Sequence, residues 1–321
     1  MELTSLRNKI IVILVIANPK SGYLKTHNAG ASLAGIHSIL GNSGHVALTQ
    51  NTQELENALR LYEYKPPTVI VPFGGDGTVS AVLGAAAKVW GEHAIPAIFP
   101  VHAGTMNMIA WDAYPKTAPL KALQWLVENQ ASTHLHSTPR YPIKTSGQQY
   151  GFVFGFGVTV NFMHAYYSLG SGPIAATKLL AKIAWGIIRR SQFVENLFST
   201  VKGQQSRDNA TPQGFAWQAC LALSIQCLPL RFRVSTSGGP LANQDMCLIA
   251  GVPNKLALVV NLLRIWLGRM PHSVGVERST IHRIDFQFDS PTAWQLDGDV
   301  HAPLSSIQIS SAPAVQFVAM E

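Results

Sequence analysis

The chain has 321 residues, of which 47% are hydrophobic and only 13% are charged. This length suits two packed domains, and the apolar content excludes a disordered chain. Lysine and arginine outnumber aspartate and glutamate by 24 to 17, and the net charge of +7 suits a nucleotide, a nucleic acid or an anionic membrane as partner. The three cysteines form no CxxC pair, so the sequence predicts neither a disulfide framework nor a zinc site and favours a reducing compartment.

Two apolar stretches resemble export or membrane signals. The run Ile10–Ala17 follows a basic patch, but Glu2 precedes it and no small-x-small cleavage site follows, so we interpret it as a buried first strand. The uncharged stretch Asn209–Leu230 is long enough to span a bilayer, yet it contains polar residues and alternates like a half-buried strand. The sequence therefore predicts a cytoplasmic chain without a transmembrane helix.

Up to about residue 130, short apolar runs alternate with helical periods. The predicted strands are Ile10–Ala17, His45–Leu48, Thr68–Phe73 and Ile95–Phe99, and the predicted helices are Leu24–Leu40, Glu54–Tyr64, Thr78–Trp90 and Pro119–Asn129. Such alternation is typical of a parallel sheet with helices on its faces. The first half is therefore predicted to be an α/β domain.

Beyond about residue 135 the pattern becomes strand-like. The predicted strands are Leu135–Lys144, Tyr150–Val158, Phe215–Cys227, Arg231–Ser235, Ile281–Phe288 and Ile307–Ile309, and the predicted helices are Ile174–Arg190 and Leu256–Leu267. The polar stretch Lys202–Gly214 is predicted to be a mobile loop. We expect a β-rich second domain, arranged as a sandwich.

The strongest local signal is the run Gly74-Gly75-Asp76-Gly77-Thr78, which directly follows a predicted strand and precedes a predicted helix. Three glycines let the backbone approach a phosphate closely, and the N–H groups of the turn favour an anion. Asp76 would repel a phosphate unless it holds Mg²⁺, bonds the backbone or accepts a proton. A tight strand-to-helix turn with Asp76 as a helix cap is the alternative.

Two further glycine-bearing turns follow predicted strands. They are Asn18-Pro19-Lys20-Ser21-Gly22 and His102-Ala103-Gly104-Thr105-Met106-Asn107. The carboxyl ends of parallel strands meet at one edge of an open sheet, so the three turns are expected to converge on one crevice. This convergence favours a nucleotide site over a simple turn.

These motifs, together with Leu296-Asp297-Gly298-Asp299, resemble in order and approximate spacing the signatures of the diacylglycerol kinase catalytic superfamily. That superfamily includes bacterial lipid kinases and sphingosine kinases, and it shares the GGDGT turn with NAD kinases. The resemblance implies an α/β + β architecture: a nucleotide-binding α/β domain over residues 1–135 plus about 303–321, and a β-sandwich lipid domain over residues 136–302. It also implies that ATP binds in the cleft between them.

The resemblance further implies the roles of individual residues. ATP contacts fall on Asn18, Thr49, Gly74, Gly75, Asp76, Gly77, Thr78, Val79, Ser80, Gly104, Thr105 and Asn107. Asp299 is the implied general base, with Asp76 able to share or replace that role, and Mg²⁺ is the implied metal. Asp245 lies where bacterial members have a structural metal ligand. An ordinary Asp-Gly hairpin turn remains the alternative for Asp297–Asp299.

Several positions depart from the family pattern. Ala81 and Met108 replace a usual glutamate and a usual aspartate, Asp299 replaces a glutamate, and Met246 follows Asp245 where a glycine is usual. An ATP-dependent lipid kinase acting on a diacylglycerol or sphingoid-type lipid is the leading interpretation. An NAD kinase and a non-catalytic nucleotide- or lipid-binding protein remain alternatives, and the sequence is silent on the oligomeric state.

The predicted helix Ile174–Arg190 carries a basic stripe. Lys178, Lys182, Trp185 and Arg189 follow one another at spacings of four, three and four residues, which places them on one face. An ordinary solvated face is one explanation, and an indole among cations favours a lipid interface as another. We therefore expect a membrane lipid substrate, peripheral contact of the cytoplasmic protein with an anionic membrane, and no nucleic acid partner.

Overall fold

The computed structural model describes residues 12–130, 135–170, 173–226, 245–261, 264–265 and 274–320. The chain divides into two units, of which the second is Arg140–Ala314 and the first comprises Met1–Pro139 and Val315–Glu321. The return of the chain to the first unit therefore begins later than the expected position near residue 303. The reason is that residues 303–311 continue a long strand of the second unit.

The elements are given in chain order. The strands are β1 (Ile13–Ala17), β2 (Gly44–Leu48), β3 (Val69–Phe73), β4 (Ala97–Ile98), β5 (Ser137–Arg140), β6 (Ile143–Thr145), β7 (Tyr150–Gly151), β8 (Val153–Gly157), β9 (Val201–Arg207), β10 (Gln213–Trp217), β11 (Ala219–Leu223), β12 (Met246–Gly251), β13 (Val276–Ile281), β14 (Arg283–Leu296), β15 (Asp299–Ser311) and β16 (Val315–Val318). The helices are α1 (Gly22–Thr26), α2 (Ala29–Leu40), α3 (Thr52–Arg60), α4 (Asp76–Trp90), α5 (Met108–Ala113), α6 (Pro119–Asn129), α7 (Val158–Ser168), α8 (Pro173–Ile188), α9 (Gln192–Leu197) and α10 (Lys255–Val260).

The first unit is the predicted α/β domain with a parallel sheet. Its strand order is β2-β1-β3-β4-β16-β5, and β1 pairs in parallel with both β2 and β3. Every residue of β1 and β3 is buried, as expected for strands covered by helices on both faces. From β1 the chain passes first to β2 on one side and then to β3 on the other. The carboxyl ends of β1 and β3 therefore flank a topological switch point, where ligands bind in open α/β sheets.

The predicted helix Leu24–Leu40 is two helices. The break between α1 and α2 falls at Asn28, whose side-chain oxygen accepts the N–H of Ala31 at 3.1 Å and so caps α2. The predicted helix Pro119–Asn129 has the same bounds as α6.

The second unit is an antiparallel sheet that folds over itself. Its described strands follow the path β13-β12-β11-β8-β14-β15-β6-β7, and β9 joins β14 and β10. Phe286 and Trp294 both lie on β14, and eight extended residues would separate them by about 26 Å. Both rings nevertheless contact Phe154, with centroid separations of 6.2 and 5.9 Å. Register shifts between Gln287 and Trp294 mark the bend that brings two layers of one continuous sheet together.

Some predictions for the second half were wrong. The stretch Lys202–Gly214 is not a loop, because residues 202–207 belong to β9, which pairs with β10 and β14. Its alternation places Gly203 and Gln205 inward, and backbone pairing with distant strands forms it despite its polarity. Helices α7 and α9 were not predicted. The predicted strand Arg231–Ser235 and the ends of the predicted segments Phe215–Cys227 and Leu256–Leu267 lie outside the described residues.

Each helix among the described residues is too short or too polar to cross a bilayer. Cys220 and Cys247 are buried and are not joined in a disulfide.

Candidate active site

Three polar turns converge at the carboxyl edge of the parallel sheet in the first unit. The backbone N–H of Asn18, after β1, bonds the carbonyl of Phe73 at the end of β3, with an N–O distance of 3.3 Å. The N–H of Tyr23 bonds the carbonyl of Ala103, in the turn after β4, at 3.0 Å. The structure thus brings together the turns after β1, β3 and β4, as their positions after parallel strands predicted.

The glycines of these turns permit a close approach of two backbones. A Cβ atom on Gly75 would lie 3.2 Å from the Cα of Gly104, and one on Gly104 would overlap the Cα of Gly75. A Cβ on Gly74 would overlap the side chain of Thr78. Gly74 and Gly104 therefore have no space for a side chain, and the resulting turn is of the kind that lets phosphate oxygens approach backbone N–H groups.

Helix α4 begins inside this convergence. Gly75 is its N-cap residue and the helix runs for 15 residues, so its positive dipole end lies in the turn. The side-chain amide of Asn18 donates to the hydroxyl of Thr78 at 3.3 Å and fixes the first turn of α4 against the loop after β1. The arrangement favours an anion at the start of α4.

Asp76 does not point its charge into open solvent. It is buried, and its Oδ1 accepts the backbone N–H of Ile109 at 2.9 Å. Burial raises the pKa of its carboxyl group to about 6, although hydrogen bonds from the backbone of Ile109, Met108 and Asn107 oppose the rise. The Asp76 carboxylate therefore bonds the backbone and caps the start of α5.

Asn107 closes the turn after β4. Its φ of 52° is left-handed, its side-chain oxygen accepts the N–H of Gly104 at 2.6 Å, and its side-chain amide donates to the Gly104 carbonyl at 2.8 Å. Thr105 lies between them and is exposed. Asn107 thus holds Gly104 against Gly75.

The remaining predicted contact residues differ in what they can present. Gly77 is exposed at the start of α4, whereas the side chain of Val79 is buried and leaves only its backbone for a ligand. The Ser80 hydroxyl donates to the Asp76 carbonyl at 3.1 Å. Thr49 is buried after β2, where its N–H bonds the Ala17 carbonyl at 3.1 Å. The structure groups these residues around the ends of β1, β2 and β3.

Two polar residues of the same turns were missed. The hydroxyl of Ser21 is buried and has no hydrogen-bond partner among the described residues. Both ring nitrogens of His102 are likewise buried without a described partner, and the ring packs edge-on against Trp111 and Tyr114 with centroids 5.0 Å away. Burial and then the charge of Lys116 lower the pKa of His102 to about 4, so the imidazole is neutral. The sequence signal that could have identified Ser21 and His102 as site residues was their position within two of the glycine-bearing turns.

The second unit contains the Asp-Gly turn. Leu296 pairs with Asp299, and the two residues between them have positive φ, 52° at Asp297 and 93° at Gly298. This is the two-residue turn that matches the twist of a hairpin. The buried Asp297 accepts the N–H groups of Phe152 and Val153, both at 2.9 Å. Asp297 is therefore a structural residue that ties the hairpin to the segment leading into β8.

Asp299 differs from Asp297 in its surroundings. It is exposed as a residue, yet nearby groups partly screen its carboxyl group from water and raise its pKa, while His301 opposes the rise. Tyr167 of α7 donates to the Gly298 carbonyl at 3.0 Å, and burial and then the Asp299 charge raise the pKa of its hydroxyl. The ring of His301 stacks on Trp294 with centroids 4.1 Å apart. The end of the hairpin thus carries a carboxylate, a phenol and an imidazole.

A resident metal site is not assembled by the described residues. They contain no group of three or more histidine, cysteine, aspartate or glutamate side chains that could hold an ion. Asp245, the predicted metal ligand, has the His282 ring nitrogen 3.9 Å away. Mg²⁺ in phosphate chemistry is commonly bound by one or two carboxylates and the substrate phosphates, and here Asp76, the carboxylate of the glycine turn, already bonds α5.

Comparison with known proteins gives a family match for the first part of the chain and structural matches for nearly all of it. Residues 12–135 match the family model of the diacylglycerol kinase catalytic domain. A proposed diacylglycerol kinase from Bacillus anthracis has a similar structure, with a TM-score of 0.71 and 16% identity over 97% of this chain and 96% of that one. A diacylglycerol kinase from the same organism matches with a TM-score of 0.64 and 14% identity over 97% of both chains. At these identities the structural likeness shows the fold alone.

Comparison with curated proteins by sequence gave no match. The family model spans β1 to the end of α6 and includes the three converging turns. The part of the chain from β1 to α6 is therefore similar to the diacylglycerol kinase catalytic domain.

Proposed function

We propose that the protein is an ATP-dependent lipid kinase that transfers the γ-phosphate of ATP to a lipid hydroxyl. One observation carries the proposal: three turns meet at a switch point, where Gly104 leaves no room for a side chain against the Gly75 backbone and α4 begins. A phosphate chain is the ligand that such a backbone cradle fits best. The match of residues 12–135 to the diacylglycerol kinase catalytic domain supports a lipid alcohol as the acceptor.

The proposed reaction is a displacement at phosphorus. The lipid hydroxyl oxygen bonds to the γ-phosphorus, the bond from that phosphorus to the β,γ-bridging oxygen breaks, and ADP leaves. Asp299 takes the proton of the attacking hydroxyl. We favour Asp299 over Asp76 as the base because Asp299 is exposed, whereas Asp76 is buried and bonds the N-terminus of α5.

Phosphate binding is assigned to the first unit. The start of α4 and the N–H groups of the glycine turns receive the phosphate oxygens, and Asn18, Thr78 and Thr105 supply polar side chains there. Mg²⁺, when bound with the nucleotide, would neutralise phosphate charge. The buried Val79 contributes through its backbone alone.

The test is transfer of labelled γ-phosphate from ATP to a total lipid extract in nonionic detergent, with NAD as the acceptor in a parallel reaction. Labelled lipid supports the proposal, and labelled NADP without labelled lipid would identify an NAD kinase. Nucleotide binding without transfer to either acceptor would identify a non-catalytic binding protein.

A matched pair of glycine variants ties the activity to the site. Gly104→Ala pushes a methyl group into the Gly75 backbone, whereas Gly30→Ala places one on helix α2, where the nearest atom is 3.4 Å away. Loss of transfer in Gly104→Ala alone is the expected result. Equal activity in the two variants would contradict the assignment of this turn.

A further inference from the structure

The outward face of α8 combines cations with large apolar side chains. Ile174, Trp185 and Ile188 have exposed fractions of 73%, 58% and 62%. Exposed on the same side are Lys178, Lys182 and Arg189. At about 100° per residue, the six positions fall within about a third of the helix circumference, so they share one face. We call this set the α8 face.

The opposite side of α8 packs against the rest of its unit. Ala175, Ala176 and Leu179 are buried. Ile183 and Ile187 pack against the cluster formed by Val194, Leu197 and Phe198. The exposed Ile174, Trp185 and Ile188 are therefore not needed to attach α8 to its unit. A single exposed apolar residue is ordinary on a protein surface, but three on one helix face are unusual.

The cations of the α8 face are close to aromatic rings. The Arg189 guanidinium lies 4.5 Å from the centroid of the Trp185 ring, and the Lys182 ammonium lies 4.3 Å from that of Phe193. An indole at the surface beside a guanidinium is the combination found at the level of lipid headgroups, where the ring meets acyl chains and the cation meets phosphate.

The charge of the α8 face has one sign. The sequence of α8 contains no aspartate or glutamate. The neighbouring helix α10 adds further exposed apolar side chains, Leu256 at 60% and Val260 at 74%. A uniformly cationic helix with protruding apolar side chains matches an interface that is anionic at its surface and apolar just beneath it.

We propose that the α8 face docks the protein on an anionic membrane surface, with Trp185 and Ile188 entering the headgroup region and the three cations contacting lipid phosphates. The proposal deepens the proposed function, since a lipid acceptor would lie in that membrane. The charge and exposure that support it are independent of any catalytic residue.

The test is co-sedimentation of the full chain with phosphatidylcholine vesicles, with and without phosphatidylserine, at low and high salt. The triple variant Lys178→Glu, Lys182→Glu, Arg189→Glu should bind the phosphatidylserine vesicles at least roughly 100-fold more weakly at low salt. Trp185→Ala should weaken binding roughly 10-fold at both salt concentrations, because insertion of an indole is not screened by ions.

The matched control reverses three exposed cations of the first unit, Arg60→Glu, Lys65→Glu and Lys121→Glu, and changes the net charge equally. It should retain nearly wild-type binding. The proposal is overturned if the α8 triple variant binds like the wild type at low salt, if the control loses as much binding, or if Trp185→Ala has no effect. Failure of the wild type to pellet with vesicles while it binds heparin through the α8 face would also overturn it in favour of a polyanion site.

The outcome is separable from that of the proposed function. In nonionic detergent the reaction does not require binding to a bilayer, so the α8 triple variant should transfer phosphate at the wild-type rate. If no protein transfers phosphate, the proposed function fails while the vesicle result stands. If all transfer phosphate and all bind vesicles equally, only the docking face is refuted.

Discussion

The Asp76 carboxylate accepts the backbone N–H of Ile109 at 2.9 Å, although 33 residues separate the two. The first residue of α4 thereby caps the start of α5, and the turns after β3 and β4 are joined through a buried charge. This bond gives the most specific motif of the sequence a structural role.

The first prediction concerns the charge on Asp76. Burial raises its pKa from 3.8 to about 6 in the folded state, so its contribution to stability is complete below about pH 4 and is lost as the pH rises through about 6. Asp76→Asn keeps an acceptor for Ile109 but cannot titrate. The free energy of unfolding of the variant, relative to wild type, should therefore rise between pH 4 and pH 7.

Urea denaturation at both pH values measures this difference, and parallel stability curves would contradict the raised pKa. The same variant should keep phosphate transfer within roughly 10-fold of wild type, because Asp299 is the proposed base and asparagine still accepts the N–H of Ile109. Loss of most turnover would show that the Asp76 carboxylate takes part in the chemistry.

The second prediction separates the two aspartates of the hairpin by stability. Asp297→Ala leaves the buried N–H groups of Phe152 and Val153 without their acceptor. We therefore expect the free energy of unfolding to fall by about 2–4 kcal/mol, the usual cost of losing one to two buried hydrogen bonds. Asp299→Ala should change stability by less than about 0.5 kcal/mol, as for an exposed residue. Chemical denaturation compares them, and equal losses would refute the division of roles.

The third prediction concerns the rate. Asp299→Ala should lower kcat by roughly 10²- to 10⁴-fold with little change in ATP affinity, the usual range for losing a general base. Asp289→Ala is the matched control, because Asp289 is an exposed aspartate of the same unit. A loss of ATP affinity at unchanged kcat would show that Asp299 is not the base, and a faster Asp299→Glu variant would show that the shorter side chain limits the rate.

The pH profile supplies an independent check on Asp299. Partial burial raises its pKa, so the wild-type rate should fall on the acid side at a pH above the ordinary pKa of an aspartate. Activity therefore increases as the pH rises through the pKa of the ionising base. If the acid limb of the pH–rate profile lies at the same pH in Asp299→Glu and in Tyr167→Phe as in the wild type, the limb belongs to another group.

The fourth prediction concerns the approach of Gly75 and Gly104. A methyl group on Gly104 overlaps the Cα of Gly75, so Gly104→Ala should separate the two turns and weaken ATP binding at least roughly 10-fold. Gly30→Ala should bind ATP like the wild type. Isothermal titration with ATP measures both, and unchanged affinity in Gly104→Ala would show that the two backbones need not meet.

The sequence by itself determined the α/β domain, the convergence of three turns and the similarity of residues 12–135 to the diacylglycerol kinase catalytic domain. Apolar runs such as Val69–Phe73 alternate with helical periods, and turns that follow parallel strands must meet at one edge whatever the details of packing. Local composition also determined α6, whose amphipathic period and first proline are both visible in the sequence.

Only the tertiary structure decided which aspartates are structural. Nothing near Asp76 or Asp297 in sequence indicates that Ile109 and Phe152 donate to them, because these partners lie 33 and 145 residues away. The same holds for β9, whose polar residues form a strand through backbone bonds to β10 and β14. Hydrogen bonds of this kind depend on which segments meet in space, and a local pattern of side chains carries no information about a distant partner.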